Sequence, residues 1–190
     1  MDATWKAMIW RQFGAAIEML ENALLACPDE LWSDRSRRPE FWYVAFHTLF
    51  YLDVYSSGSV EAYTPPAPFT LGELEDDVMP PRAYGKDELL AFLVHGRRKC
   101  RAAIDAMTDE KVSRRCGFEW LDLSEAELLL YNLRHVQHHV GQLNLILRQA
   151  TNSGSRWVRT ATGGELRGGR GGAPPAPAGR GSGSGPAARR

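Results

Sequence analysis

Apolar residues recur at three- and four-residue spacing in four stretches of the chain, the period of a helix with one buried face. The first predicted helix runs from about Thr4 to Ala26, with Trp5, Ile9, Phe13, Ala16, Ile17, Leu20 and Leu24 on one side, and Pro28 ends it. The second runs from about Pro39 to Tyr55, with Pro39 suited to a first helical position and Ser56-Ser57-Gly58 as the stop. It is apolar nearly all round, which predicts the most buried helix of the set. The third spans about Lys86 to Met107, with Leu89, Leu90, Leu93, Cys100, Ile104 and Met107 facing inward and Gly96 as a tolerated weak point. The fourth spans about Glu125 to Gln149. Ser124 and Glu127 form an S-x-x-E capping box ahead of Leu128-Leu129-Leu130, the best-marked helix start in the chain. No segment shows useful strand alternation, so the predicted class is all-α, a four-helix bundle.

Between the second and third helices lies a long connection, from about Gly58 to Gly85, with five prolines and room for a helical turn near Leu71–Asp77. Connections of this length serve a function or cross over a bundle. The crossover strap is the preferred reading, and a lid over one end of the bundle is the alternative. After Gln149 the pattern dissolves. Ser155-Arg156-Trp157-Val158 could pack back on the bundle, and from Gly163 onward Gly, Pro, Ala, Ser and Arg cannot build a core. The expected organisation is therefore a bundle over residues 1–158 and a disordered tail over 159–190.

Composition changes this picture in two places. The formal net charge of zero conceals seven arginines against one acid in residues 151–190, which leaves sixteen basic and twenty-two acidic residues in the rest. An acidic bundle does not attract phosphate backbones, so nucleic acid is not an expected partner of the bundle. The run Arg167-Gly-Gly-Arg170-Gly-Gly resembles a nucleic-acid-binding RGG segment, but a plain flexible tail is the preferred reading of one short run. Cys27, Cys100 and Cys116 are sparse, odd in number and without C-x-x-C spacing, which suits reduced thiols. No basic stretch followed by an apolar run opens the chain, and Phe41–Tyr55 is too short to span a bilayer. A soluble cytoplasmic protein without a membrane partner is expected.

Candidate chemistry sits on the fourth helix. Leu129, Leu133, Val136, Val140, Leu143 and Leu147 stack into one apolar stripe at roughly 100° per residue. Leu128, Asn132, His135, His139, Gln142 and Ile146 form a neighbouring seam, apolar at its ends and polar in its middle. His135 and His139 are four apart and share a face, so both imidazoles can reach one ion. His138 points away from the centre of the apolar stripe and is the poorest candidate of the three. A third ligand would come from His47, mid-way along the aromatic second helix, where a buried imidazole needs a partner. The competing reading is hydrogen bonding without any ion, with Asn132 and Gln142 as partners. For one histidine that reading is preferred. For three, with an i, i+4 pair, metal is. Tyr43 and Tyr51 lie one turn either side of His47 and are proton donors or simply core; His95 reads as a surface residue and Cys100 as an inert buried hydrophobe. An H-x-x-x-H pair without the glutamate of H-E-x-x-H does not support a zincin protease.

The stretch Asn132–Leu143, with His135-Val136-Gln137-His138-His139-Val140-Gly141-Gln142 at its centre, resembles the H-x-x-H-H-x-G-Q hallmark of the DinB/YfiT-like superfamily of metalloenzymes, and Phe46-His47-Thr48-Leu49 resembles the histidine of that family's second helix. The resemblance covers roughly residues 1–158. It implies metal on His47, His135 and His139, with His138 outside the ligand set. Many members carry Arg where this chain has Val140. The resemblance further implies a divalent-metal-dependent enzyme, a thiol-dependent S-transferase, isomerase or hydrolase acting on a small molecule, with a low-molecular-weight thiol as co-reactant. Zinc or nickel are the ions expected first, iron or manganese next. The alternative is a non-catalytic metal- or ligand-binding stress-response protein. A homodimer is compatible with such bundles.

Overall fold

A computed structural model describes residues 2–61, 63–75 and 78–161, and within them the chain is helical without a strand. Four helices are long: α1 (Ala3–Ala26), α3 (Phe41–Tyr55), α4 (Lys86–Asp105) and α6 (Glu125–Thr151). Two are short: α2 (Asp29–Trp32) and α5 (Asp109–Ser113). Neither short helix is visible in the apolar period, because one turn is too little to show one.

The predicted faces pack inward. Ile9, Phe13, Ala16, Ile17, Leu20 and Leu24 of α1 are buried, as are Leu89, Leu93, Cys100 and Ile104 of α4. Nearly every residue of α3 is buried, in keeping with a helix that is apolar all round. Three boundaries differ from expectation by two residues: α4 ends at Asp105 rather than Met107, α6 at Thr151 rather than Gln149, and α3 starts late. Pro39 lies outside α3, which starts at Phe41 behind Glu40 as its N-terminal cap residue. At the start of α6 the Ser124 hydroxyl accepts from the Glu127 amide at 3.3 Å, and the Glu127 carboxylate accepts from the Ser124 amide at 2.8 Å. Two orphan amides of the first turn are thereby satisfied reciprocally. The helix closes at Asn152, whose φ of 55° is the left-handed conformation that asparagine tolerates.

The long helices pack as a ring in which α1 and α3 each lie between α4 and α6. Cross-contacts give the directions. Lys6 reaches the carbonyl of Asp105 and Arg97 pairs with Glu21, so α1 and α4 are antiparallel. Asp53 contacts His95 and Lys99, and the Cys100 thiol meets Ser56 one turn further along both helices, so α3 and α4 run the same way. At Gly96 a Cβ would lie 3.1 Å from Leu52 Cδ2 on α3, which is why the weak point in α4 is a glycine. Parallel neighbours cannot be joined by a tight turn, and this is the physical reason for the long connection: it crosses over the bundle. Phe69 anchors it by stacking on Phe92 at 4.2 Å and lying 4.8 Å from Tyr84. The expected helical turn within it is a single 3-10 turn, Leu71–Leu74.

After α6, Val158 packs against the core and the Ala161 amide donates to the Arg11 carbonyl at 2.9 Å, while Trp157 remains exposed. Of the tail expected over residues 159–190, residues 159–161 are described, and residues 162–190, with the Arg/Gly run, lie outside the described residues. Cys27, Cys100 and Cys116 are free and buried. No helix among the described residues is long and apolar enough to cross a membrane.

Candidate metal centre

The core stripe and the polar seam of α6 are adjacent faces of one helix, and α3 lies across the seam. From α3, His47 and Tyr51 project toward the histidines of α6, with Tyr43 one turn before His47 on the same side of the helix. The three imidazoles converge: ring centroids lie 4.7 Å apart for His47 and His139, 5.3 Å for His47 and His135, and 4.5 Å for His135 and His139. One ring nitrogen from each residue lies within 4.8 Å of the other two. His138 is exposed and outside the cluster; its ring meets the amide of Gln142 at 3.3 Å and lies edge-on to His139 at 4.9 Å between centroids.

Hydrogen bonds on the outer ring nitrogens fix which nitrogens point inward. His47 Nδ1 is 2.7 Å from Glu73 Oε1. A carboxylate only accepts, so Nδ1 carries the proton and Nε2 keeps its lone pair. His139 Nδ1 is 2.7 Å from Gln142 Oε1, which gives the same tautomer, and His139 Nε2 is 3.1 Å from His135 Nε2. Nδ1 of His135 is buried without a partner among the described residues. Burial, reinforced by the neighbouring imidazoles, pushes His135 down to about 3. Burial also pushes His139 down to about 4, against the opposing effect of its hydrogen bond to Gln142 Oε1. Both rings are thus neutral at physiological pH.

Glu73 is the residue that the sequence did not disclose. It stands on the 3-10 turn of the crossover, and its side chain is only 3% exposed. Oε1 accepts from the Tyr43 hydroxyl at 3.1 Å as well as from His47, and the Glu73 carbonyl accepts from the Tyr51 hydroxyl at 3.3 Å. Burial together with the Glu73 charge raises the Tyr43 phenol to about 12, so it stays a donor. The two tyrosines flanking His47 therefore fasten the crossover to α3. Asn132, which could have served the histidines, instead donates to the Leu52 carbonyl at 3.1 Å and ties α6 to the end of α3. His95 is half exposed, as a surface residue should be, yet its ring also meets the fully buried Asp53 at 3.1 Å.

The donor set fits a divalent ion. Tetrahedral bonds of about 2.0–2.1 Å place ligand nitrogens about 3.4 Å apart, close to the present His135–His139 separation. The donor nitrogens of all three residues lie within 4.8 Å of one another. The buried carboxylate behind His47 also calls for a compensating positive charge nearby. A carboxylate on the outer nitrogen of an imidazole is the arrangement that orients histidine ligands and strengthens them as bases.

A model of the DinB superfamily matches residues 12–143, which include all three converging histidines and Glu73. The chain belongs to the DinB superfamily. The helical fold agrees with that membership, and the histidine cluster is compatible with metal binding. No curated protein and no solved structure matches the chain.

Proposed function

We propose that this DinB-superfamily protein is a divalent-metal-dependent enzyme that acts on a small molecule, with the ion held by Nε2 of His47, His135 and His139. The observation that carries the reading is the convergence of three imidazole nitrogens from two helices on one point, two of them with the outer nitrogen already occupied by an acceptor. Zinc or nickel suits three neutral imidazoles best, with iron and manganese as further candidates.

Such an ion, when bound, acidifies a water or thiol placed at its open position and polarises an electrophilic oxygen. The chain's own groups hold that position. Gln142 and Glu73 fix the tautomers of His139 and His47, and burial keeps His135 neutral. The side chain of His47 is 28% exposed, so the seam is open to solvent on that side. A low-molecular-weight thiol as co-reactant, with S-transfer, isomerisation or hydrolysis as the reaction, is the part of the proposal that comes from the resemblance.

One observation favours a second reading. His135 Nε2 can donate to His139 Nε2, and His139 Nδ1 in turn to Gln142 Oε1, so both ring nitrogens of His139 and Nε2 of His135 find partners without an ion, and only Nδ1 of His135 does not. A binding protein of the stress response, without catalysis, would use the fold in that way. A transfer screen with glutathione, mycothiol and bacillithiol against electrophilic acceptors, with and without added zinc or nickel, separates the two. Turnover that requires the ion and disappears in His139→Ala supports the enzyme; no metal-dependent turnover with any thiol, or in hydrolysis of simple esters and amides, argues for the binding protein.

A further inference from the structure

The proposed site is built from two helices, yet the most buried charge in contact with it comes from neither. Glu73 is carried by a 3-10 turn of the crossover, 26 residues along the chain from His47. Its carboxylate is almost fully enclosed. One oxygen takes two hydrogen bonds, from His47 at 2.7 Å and from Tyr43 at 3.1 Å, and the other is buried without a partner among the described residues. A buried carboxylate is costly unless its contacts are specific and charged. A surface strap built only to join two parallel helices has no need of one.

We infer that Glu73 is a positioning residue: it holds the His47 ring in the Nδ1–H tautomer with Nε2 turned toward His135 and His139, and so makes the crossover part of the site. The inference rests on the proposed ion site for its purpose, but the hold on His47 stands on geometry alone. The ring of an unconstrained neutral histidine prefers the proton on Nε2, the nitrogen that would have to bind. The carboxylate reverses this preference because it accepts and cannot donate. Tyr43, sharing the same oxygen, keeps the carboxylate from swinging away. Tyr51, bonded to the Glu73 carbonyl, fixes the turn that carries it. The tyrosines on either side of the ligand thus act on the carboxylate, and through it on the imidazole.

The consequence is reciprocal. An ion that draws on the His47 lone pair makes Nδ1–H a better donor and tightens the bond to Glu73. A well-held crossover in turn presents a better ligand. Outer partners of this kind contribute about 10–100-fold to metal affinity.

Two readouts on the full chain test this. In metal-free protein, nitrogen-15 NMR of the histidine side chains reports the tautomer of each ring. Wild type should show His47 protonated on Nδ1. Glu73→Ala should move that proton toward Nε2, Glu73→Gln should retain Nδ1–H because its amide oxygen still accepts, and the exposed Glu75→Gln should change nothing. Zinc affinity by competition with a chromophoric chelator should fall about 10–100-fold in Glu73→Ala and less in Glu73→Gln. An unaltered His47 tautomer in a folded Glu73→Ala overturns the inference whatever the ion does. A tautomer that depends on Glu73, in protein that binds no zinc, upholds the positioning role and defeats the ion reading instead.

Discussion

Burial, more than any neighbouring charge, sets the protonation of His135 and His139. Their folded values lie well below the ordinary histidine value of 6.5. In the unfolded chain both rings take up protons as pH falls below that value, while the folded chain resists. The unfolded state then binds more protons, so stability falls with decreasing pH. The stabilising contribution is complete above about pH 6.5 and is lost progressively toward pH 4. For metal-free protein the thermal midpoint should therefore drop between pH 7 and pH 4.5, and the drop should be shallower in a His135→Gln/His139→Gln variant. Equal slopes in the two proteins would contradict this account. At this scale much of the site was legible. The i, i+4 spacing puts His135 and His139 on one face and turns His138 outward, and both follow from helix geometry alone. Glu73 was hidden because its link to His47 is tertiary: a lone acid in a Pro-rich connection carries no periodic signal. The role of Asn132 was equally hidden, since nothing local distinguishes a side chain that reaches an imidazole from one that reaches a carbonyl of the facing helix.

Among the elements, α6 is the best specified, and its capping box can be measured. Ser124→Ala removes the side-chain acceptor for the Glu127 amide and should cost about 1 kcal/mol in denaturant unfolding, with the far-UV spectrum unchanged at low denaturant. A loss near zero would mean that the first turn is held by α5 and the Arg114–Glu125 pair instead. The four long helices were legible because each buries a continuous face over several turns. Their ends were less so. Pro39 suits a first helical position, yet the fold places it ahead of Phe41. The short helices α2 and α5 are each held by neighbours rather than by an amphipathic period. Leu31 and Trp32 of α2 are buried, and the Trp32 indole donates to the Tyr84 carbonyl at 3.1 Å. The crossover was visible as a length of chain with five prolines, but its contribution to the site was not.

For the molecule as a whole, the ring of four long helices leaves one seam, between α3 and α6, in which polar side chains replace apolar ones at mid-height. The opposite side of α3 carries a separate buried charge, Asp53, which is met by Lys99 at 2.9 Å and His95 at 3.1 Å and serves the packing of the parallel pair. The chain thus commits two buried carboxylates to α3 and its surroundings, one holding helices together and one holding His47. The sixteen basic and twenty-two acidic residues outside 151–190 give that part of the chain a net negative charge, which offers no general attraction to a phosphate backbone. Membership of the DinB superfamily and the helical fold were both within reach of the sequence, because the histidine motif on α6 and the matching histidine on α3 occur in order on separate elements. The reaction was not, since ligands specify an ion more closely than they specify a substrate.

The central claim is that His47, His135 and His139 share one ion. Elemental analysis of protein purified without added metal, followed by titration with zinc, tests it most directly. About one divalent ion per chain is expected for the wild type, with loss of that ion in His139→Ala and in His47→Ala while the helical spectrum is retained. A wild type that binds no ion, or a folded His47→Ala that binds it as tightly as wild type, would contradict the account.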